Sequence, residues 1–402
     1  MTMTDGSRTV DGPPSSGIRV AFNNPLSTYY IIAGSTLLLL VIGVVMVTSA
    51  SSIESFKVFG SAYTLAQRQG MFAVIGIFIM FLAARTAIQF WRGLAWILLL
   101  GSLALLVAVL VIGVEVRGQQ NWIELFGPFR LQPSEFAKLG IIVWGADLLT
   151  RKDLRIHTWS HLLVPLLPVS FLMVVLVLLE GDFGNAFMIA VITAGILFAA
   201  GAPLRLFAVL GAVGLVAIYL LSLAAPYRMA RVMSWMDPAA DRLGAGWQLT
   251  QGQYALGTGG LWGVGLGASR EKWGALPEAH TDFIFPVIGE ELGLIGTFIV
   301  LVLFGVLSFG IFRLTRKTKD PFVRLASAGV GCWIVVQAIL NIGSVLGLLP
   351  ISGVPLPLVS YGGSSLLPTL AAIGMLLAFA RQEPGARIAL RRKSTTQTNR
   401  RR

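Results

Sequence analysis

Charge is scarce in this chain. Only 12% of its 402 residues are Asp, Glu, Lys or Arg, about half the quarter that a soluble domain carries. An ordinary globular enzyme is excluded on that ground. Cysteine is nearly absent, since Cys332 stands alone in an apolar run, so neither a disulfide nor a cysteine metal site can form. The three histidines, His157, His161 and His280, are too scattered for a metal-ligand cluster. No GxxxxGK[ST] segment is present, and an ATP-driven pump would need that loop to cradle its phosphates. The short alternating segments of a membrane barrel are missing too. No internal repeat stands out, which weakens a transporter built from inverted repeats.

Long apolar runs fill the space that charge leaves. A bilayer core of about 30 Å takes roughly 20 apolar residues as helix, and stretches such as ILLLGSLALLVAVLVIG meet that length. The fold class expected is an all-α polytopic membrane protein of about ten spanning helices. Their approximate places are 29–48, 70–86, 93–113, 134–149, 161–179, 185–201, 206–225, 283–312, 323–347 and 365–380. The first run is longer than the apolar part of a signal peptide and reads as a retained helix. Lys and Arg crowd the loop with Arg151, Lys152 and Arg155, the loop with Arg313, Arg316, Lys317 and Lys319, and the tail from Arg387 to Arg402. The positive-inside rule then places both termini in the cytoplasm. A basic tail beside anionic lipid accounts for much of the net charge of +12 without nucleic acid.

Residues 1–24 read as a flexible cytoplasmic tail, 25–383 as the membrane domain, and 384–402 as a basic cytoplasmic tail. Within the domain, 226–282 forms a large extracytoplasmic loop between the seventh and eighth spans. Trp235, Trp247, Tyr254, Trp262 and Trp273 in and around WQLTQGQYALGTGGLWGVGLG favour the membrane interface, so partly interfacial helices are expected there.

Ionisable groups at membrane depth are costly and are functional candidates by default. Glu135 and Lys138 lie three apart just after Pro133, on one face of a helix, as a structural ion pair or as part of a site. Lys138 is also close enough to the helix start to snorkel. Asp282 in PEAHTDFIF is either a helix cap or a general base facing the outer leaflet, flanked by His280 and Glu278. Glu290 and Glu291 follow about 12 to 13.5 Å further along that helix. Buried acids need a partner, a proton or a wet cavity. Gln337, Asn341 and Ser344 make one polar stripe at i, i+4 and i+7 that could serve them, or could simply bond between helices. PLPLVSYGGSS at 355–365 signals irregular backbone packed in protein or lining a cavity.

Taken together, VVMVTSASS, GPFRLQPSEFAKL, EGDFGNA, PEAHTDFIFPVIGEELGLIG and NIGSVLGLLPISGVPLPLVSYGGSS, in that order, resemble the SEDS family of shape, elongation, division and sporulation proteins. The resemblance implies a peptidoglycan glycosyltransferase that polymerises lipid II into β-1,4-linked strands outside the cytoplasmic membrane, with inversion. It carries the family's essential aspartate onto Asp282. Glu135, Lys138, His280, Glu290, Asn341, Ser360, Gly362 and Gly363 are the further candidates for binding substrate or supporting the site. The base aids attack of the acceptor hydroxyl, and the departing pyrophosphate needs positive charge. Lys138, Arg228, Arg231, Arg242, Arg270, Lys272 or a divalent cation, Mg or Mn, could supply it, with Asp282 as a ligand.

The expected partners are lipid II, the undecaprenyl-pyrophosphate-linked strand, a class B penicillin-binding protein and other division proteins. PEAHTDFIFPVIGEELG and VSYGGSS resemble division members more than rod-elongation members, so the expected place is the inner membrane at the septum. Many relatives read NGARRWI where this chain reads RGQQNWI at 117–123, so no anion-binding role is carried over to that segment. The competing readings are a lipid II flippase and the rod-elongation paralogue.

Overall fold

The computed structural model describes residues 26–116, 118–126, 129–152, 163–223, 233, 235–237, 244–273 and 276–383. Both tails, and with them Arg387 to Arg402, lie outside the described residues, as do Arg228, Arg231 and Arg242.

Each expected apolar run coincides with a helix. In chain order these are α1 (Ser27–Phe59), α2 (Thr64–Ala83), α3 (Ile88–Ile112), α4 (Pro133–Arg151), α5 (Leu166–Leu179), α6 (Phe183–Ala199) and α7 (Leu204–Leu223). After them come α8 (Ala245–Gly259), α9 (Ile284–Lys317), α10 (Pro321–Val345) and α11 (Gly363–Arg381). By length and composition, α1, α2, α3, α9, α10 and α11 suffice to cross a membrane. Leu166–Leu179, Phe183–Ala199 and the Leu204–Val216 part of α7 are shorter apolar helices, and α4, with Glu135, Lys138, Asp147 and Arg151, is more charged. α8 and a turn of 3-10 helix at Glu271–Trp273 lie in the long segment between α7 and α9.

Helix ends follow local chemistry. Gly60 adopts φ 70° and closes α1 with an N–H to the Phe56 carbonyl, the left-handed cap that glycine accepts without penalty. Pro133 opens α4, with Glu135 in its first turn and Arg151 in its last, both favoured by the helix dipole. The Asp182 and Asp320 side chains cap α6 and α10.

Two features depart from uniform spanning helices. β1 (Val114–Val116), β2 (Gln119–Phe126) and β3 (Phe129–Leu131) form an antiparallel sheet in the order β1-β2-β3, a small addition to an otherwise helical bundle. The polar run Gln119–Asn121 beside Trp122, Ile123 and Leu125 suits a half-exposed strand. In α9, Gly293 adopts φ 68° and ψ −166°. The stretch bearing Glu290 and Glu291 is therefore a separate short helix, not a deeper part of one straight rod.

Packing relies on small residues where backbones meet, as membrane helices do. A Cβ on Gly43 would lie 2.6 Å from the Leu358 carbonyl oxygen, and one on Gly363 would lie 2.6 Å from the Phe72 ring. Large apolar side chains such as Val111, Phe171 and Leu215 face outward, as a lipid-facing belt requires. α1, at 33 residues, is about 50 Å long and exceeds the bilayer core, so its last turns with Glu54 project at the end where the polar loops gather.

Candidate functional site

The site is organised by the irregular stretch from Ile351 to Gly362. Two helices, α10 and α2, fix it through buried amides, and a hydroxyl of its own ties it to the turn before α9. Asn341 of α10 donates to the Val354 carbonyl at 2.9 Å and to the Asp282 carbonyl at 2.8 Å. Gln337, one turn earlier, donates to the Pro355 carbonyl at 2.8 Å. Gln69 of α2, fully buried, donates to the Ser360 carbonyl at 3.3 Å and accepts from the Gly362 N–H at 3.2 Å. Ser360 accepts from the Leu356 N–H and donates to the Thr281 carbonyl at 2.6 Å. Asp282 is thus gripped by its own backbone and its neighbour's, from α10 and from this loop.

Its carboxylate remains half-buried and does not cap α9: that position belongs to Phe283, and no side chain caps it. Asp282 Oδ2 stands 3.9 Å from where a Cβ on Gly353 would sit, so a side chain at that position would touch the acid. His280 accepts the Tyr361 N–H at its carbonyl, at 2.9 Å. Its ring packs 5.4 Å from the Tyr361 ring, with Nδ1 3.3 Å from a Glu54 carboxylate oxygen. Gly363 admits Phe72 against the start of α11.

Behind this layer lies a buried acid–base network. Glu135 and Lys138 are fully buried and paired at 2.7 Å, so Lys138 does not snorkel. Its ammonium also donates to Gln337 Oε1 at 3.1 Å and sits 5.0 Å from the Trp333 ring centre. Gln337 thereby links the pair to the loop that holds Asp282. On the other side, Asp182 lies within electrostatic range of both Glu135 and Lys138. It accepts from Asn121, Gln132 and Asn185 side chains at 2.9 to 3.2 Å. Glu180 is 1% exposed, and neither of its carboxylate oxygens has a hydrogen-bond donor. Burial, with the nearby Asp182 charge, pushes its carboxyl up to about 8.

Glu290 and Glu291 belong to a different cluster, and their partners are not the α10 stripe considered from sequence. Glu290 accepts from the Ser269 hydroxyl at 2.5 Å and the Arg270 N–H at 2.8 Å. Glu291 pairs with Lys272 at 3.0 Å and accepts from Ser49 of α1 at 2.7 Å. These bonds fasten the Gly263–Trp273 stretch to α1 and α9. The long loop docks on this short helix, the Val264 and Gly265 N–H groups donating to the Glu290 and Glu291 carbonyls at 2.9 and 3.1 Å.

Sequence reasoning missed Gln69, Asp182, Gln132 and Tyr361. Asp182 had a readable signal, an acid directly before a helical run. Gln69 had none, because a single glutamine in a spanning run is informative only once its partner loop is known.

A bundle of apolar helices with buried acids, an ammonium and an irregular loop gathered at one end defines a polytopic membrane protein with a polar site at the bundle's rim. Residues 30–384 match the FtsW/RodA/SpoVE family of cell cycle proteins, and the chain belongs to that family. It is 36% identical to the probable peptidoglycan glycosyltransferase FtsW of Mycobacterium tuberculosis, over 99% of this chain and 80% of that one. It is 40% identical to the stage V sporulation protein E of Bacillus subtilis, over 86% and 95%. Among solved structures it is similar to a chain of a peptidoglycan synthase complex that coordinates polymerisation and crosslinking, with TM-score 0.70, 30% identity and coverage of 89% and 97%. The rod shape determining protein RodA of Thermus thermophilus superposes with TM-score 0.66 at 28% identity, over 88% and 97%.

Proposed function

We propose that this protein is a peptidoglycan glycosyltransferase that polymerises lipid II, with Asp282 as its base. The observation that carries the reading is the placement of Asp282: a half-buried carboxylate, gripped through its backbone by Asn341 and the Ser360 loop, at the end of the bundle where the acid–base network gathers. The acceptor sugar's 4-hydroxyl oxygen attacks the anomeric carbon of the strand. Its proton passes to Asp282, and the bond from that carbon to the diphosphate oxygen breaks with its electron pair leaving on undecaprenyl pyrophosphate. Attack opposite the leaving group inverts the anomeric centre.

Among the described residues no group of three or more His, Cys, Asp or Glu is placed to hold a metal ion. The residues do fit a cation shared with substrate, because Mg²⁺ is commonly held by one carboxylate and phosphate oxygens. Asp282 would hold it there, and it would supply positive charge to the leaving diphosphate. Lys138 serves as a positioning residue, since Glu135 and Gln337 engage it fully.

A flippase needs its essential charges exposed by turns to both faces, whereas the network here lies at one end. The opposite end keeps its buried acid, Asp147, between Arg92 and Arg151. Division at the septum, with a class B penicillin-binding protein and other division membrane proteins as partners, fits the likeness to FtsW and to the synthase complex. The deciding experiment incubates the purified full chain, alone and with that partner, with lipid II. Glycan strands are expected on a gel. Translocation of lipid II across proteoliposomes without strand formation would favour the flippase.

A further inference from the structure

The end of the bundle opposite Asp282 carries a second built cluster. Asp147 of α4 is 2% exposed and accepts from two guanidiniums, Arg92 Nε of α3 at 2.9 Å and Arg151 Nε of its own helix at 2.6 Å. Those arginines are themselves 36% and 59% exposed. Among the described residues neither arginine meets another acid at ion-pair distance. Arg92 faces the Phe322 ring at 5.9 Å, and Asp320, two residues before that ring, accepts instead from the Phe322 and Val323 N–H groups. One positive charge is therefore left in excess, on groups fixed by an acid that is out of water.

Depth gives the cluster its setting. Arg92 lies about 30 Å along α3 from Ile112, which leads into the sheet at the other end, at 1.5 Å per residue. That distance matches the hydrocarbon core, so the arginines reach the opposite membrane surface, which the positive-inside rule makes cytoplasmic. One turn deeper on the same face of α3 stands Trp96, half exposed, its ring edge-on to Trp144 of α4 with centres 5.7 Å apart. A further turn brings Leu100, also exposed. From the surface inward the order is guanidinium, indole, aliphatic chain, which matches the phosphate, glycerol and acyl layers of a phospholipid.

We infer that Arg92 and Arg151, set by Asp147, form a headgroup site for one anionic phospholipid at the cleft between α3 and α4. Each guanidinium gives its Nε to Asp147, and its terminal N–H groups are the donors that suit phosphate oxygens. The excess charge selects an anionic headgroup over a zwitterionic one. Trp96 and Leu100 select a lipid over a soluble phosphate, because they offer its glycerol and chains an apolar wall. A lipid held there ties α3 to α4, the helix that bears Glu135 and Lys138. The site is remote from Asp282 and does not depend on the polymerase reading.

The test titrates the full-length protein in detergent with dioleoyl phosphatidylglycerol, dioleoyl phosphatidylcholine or glycerol 3-phosphate, and native mass spectrometry counts what stays bound. Arg151→Gln leaves Asp147 paired with Arg92, so the fold is kept. It should weaken phosphatidylglycerol about fivefold, the share of one arginine at a lipid surface. Arg151→Lys should recover part of that loss, since it restores the charge without the planar fork. The charge-free variant Arg92→Gln/Asp147→Asn/Arg151→Gln strands no ion and should bind phosphatidylglycerol no better than phosphatidylcholine. Phosphatidylcholine binding should be unchanged in all three, and glycerol 3-phosphate should displace the lipid only at far higher concentration. Wild-type affinity for phosphatidylglycerol in Arg151→Gln and in the charge-free variant would overturn the site, leaving the cluster a structural ion pair. Equal loss of phosphatidylcholine would overturn it as well, and so would displacement by glycerol 3-phosphate at matching concentration, which marks a soluble-anion site.

Discussion

Removing one half of the Glu135–Lys138 pair should be worse than removing both. The two groups are fully buried and 2.7 Å apart, and a desolvated charge left without its partner costs about 3 to 5 kcal/mol. Lys138→Met keeps most of the side chain's volume but strands the Glu135 carboxylate, whose second oxygen already lacks a donor. It also removes the bond to Gln337 at 3.1 Å. Glu135→Gln strands the ammonium instead, with Gln337 Oε1 and the Trp333 face as its remaining support. In Glu135→Gln/Lys138→Met no unpaired charge remains, so the double variant should be more stable than either single by roughly 2 kcal/mol or more, a coupling typical of contacting residues. Thermal unfolding of the four proteins in one detergent reads the cycle. Additive losses would refute the claim that the pair acts as a unit.

Glu180 gives a pH prediction. Its carboxyl is held near 8 in the fold against 4.5 unfolded, so the folded state favours the protonated form. That stability is fully present below about 4.5 and is lost as pH rises through about 8, on the order of a few kcal/mol. Melting temperature should therefore fall between about pH 5 and pH 8 in the wild type and fall less in Glu180→Gln; parallel curves would contradict it. Gly43→Ala forces a Cβ to 2.6 Å from the Leu358 carbonyl oxygen, and such overpacking costs about 1 to 3 kcal/mol. It should lower melting temperature and displace the loop under Asp282; unchanged melting would show that the contact relaxes freely. For orientation, a cysteine at Glu278 in a Cys332→Ser background should react with an impermeant thiol reagent on intact spheroplasts. One at Ser394 should react only after lysis, and the opposite pattern would invert the chain in the membrane.

The apolar runs were legible because a spanning helix is specified by composition over its whole length, and small shifts of its ends do not change that. The i, i+3 spacing of Glu135 and Lys138 was legible for the same local reason, and it forms the pair seen at 2.7 Å. What stayed hidden depends on contacts across hundreds of residues. Gln69 meets Gly362, Ser49 meets Glu291, and Ser364 meets Arg130, and no periodicity records such pairings. The partners of Glu290 and Glu291 come from the loop before α9 and from Ser49 of α1, and the left-handed φ of Gly293 ends the short helix that bears the two acids. A glycine within a helix more often continues it, so its sequence did not announce the break.

The account rests on Asp282 as the base of strand synthesis, and Asp282→Asn isolates that role. Asparagine keeps the shape of the side chain and leaves untouched the backbone carbonyl that Asn341 holds at 2.8 Å, while removing the proton acceptor. The direct measurement is the rate of glycan strand formation from lipid II by purified wild-type and Asp282→Asn proteins matched in melting temperature. The wild type should build strands and the variant none above background. Strands formed by the variant at near wild-type rate would contradict the assignment of Asp282 as the base.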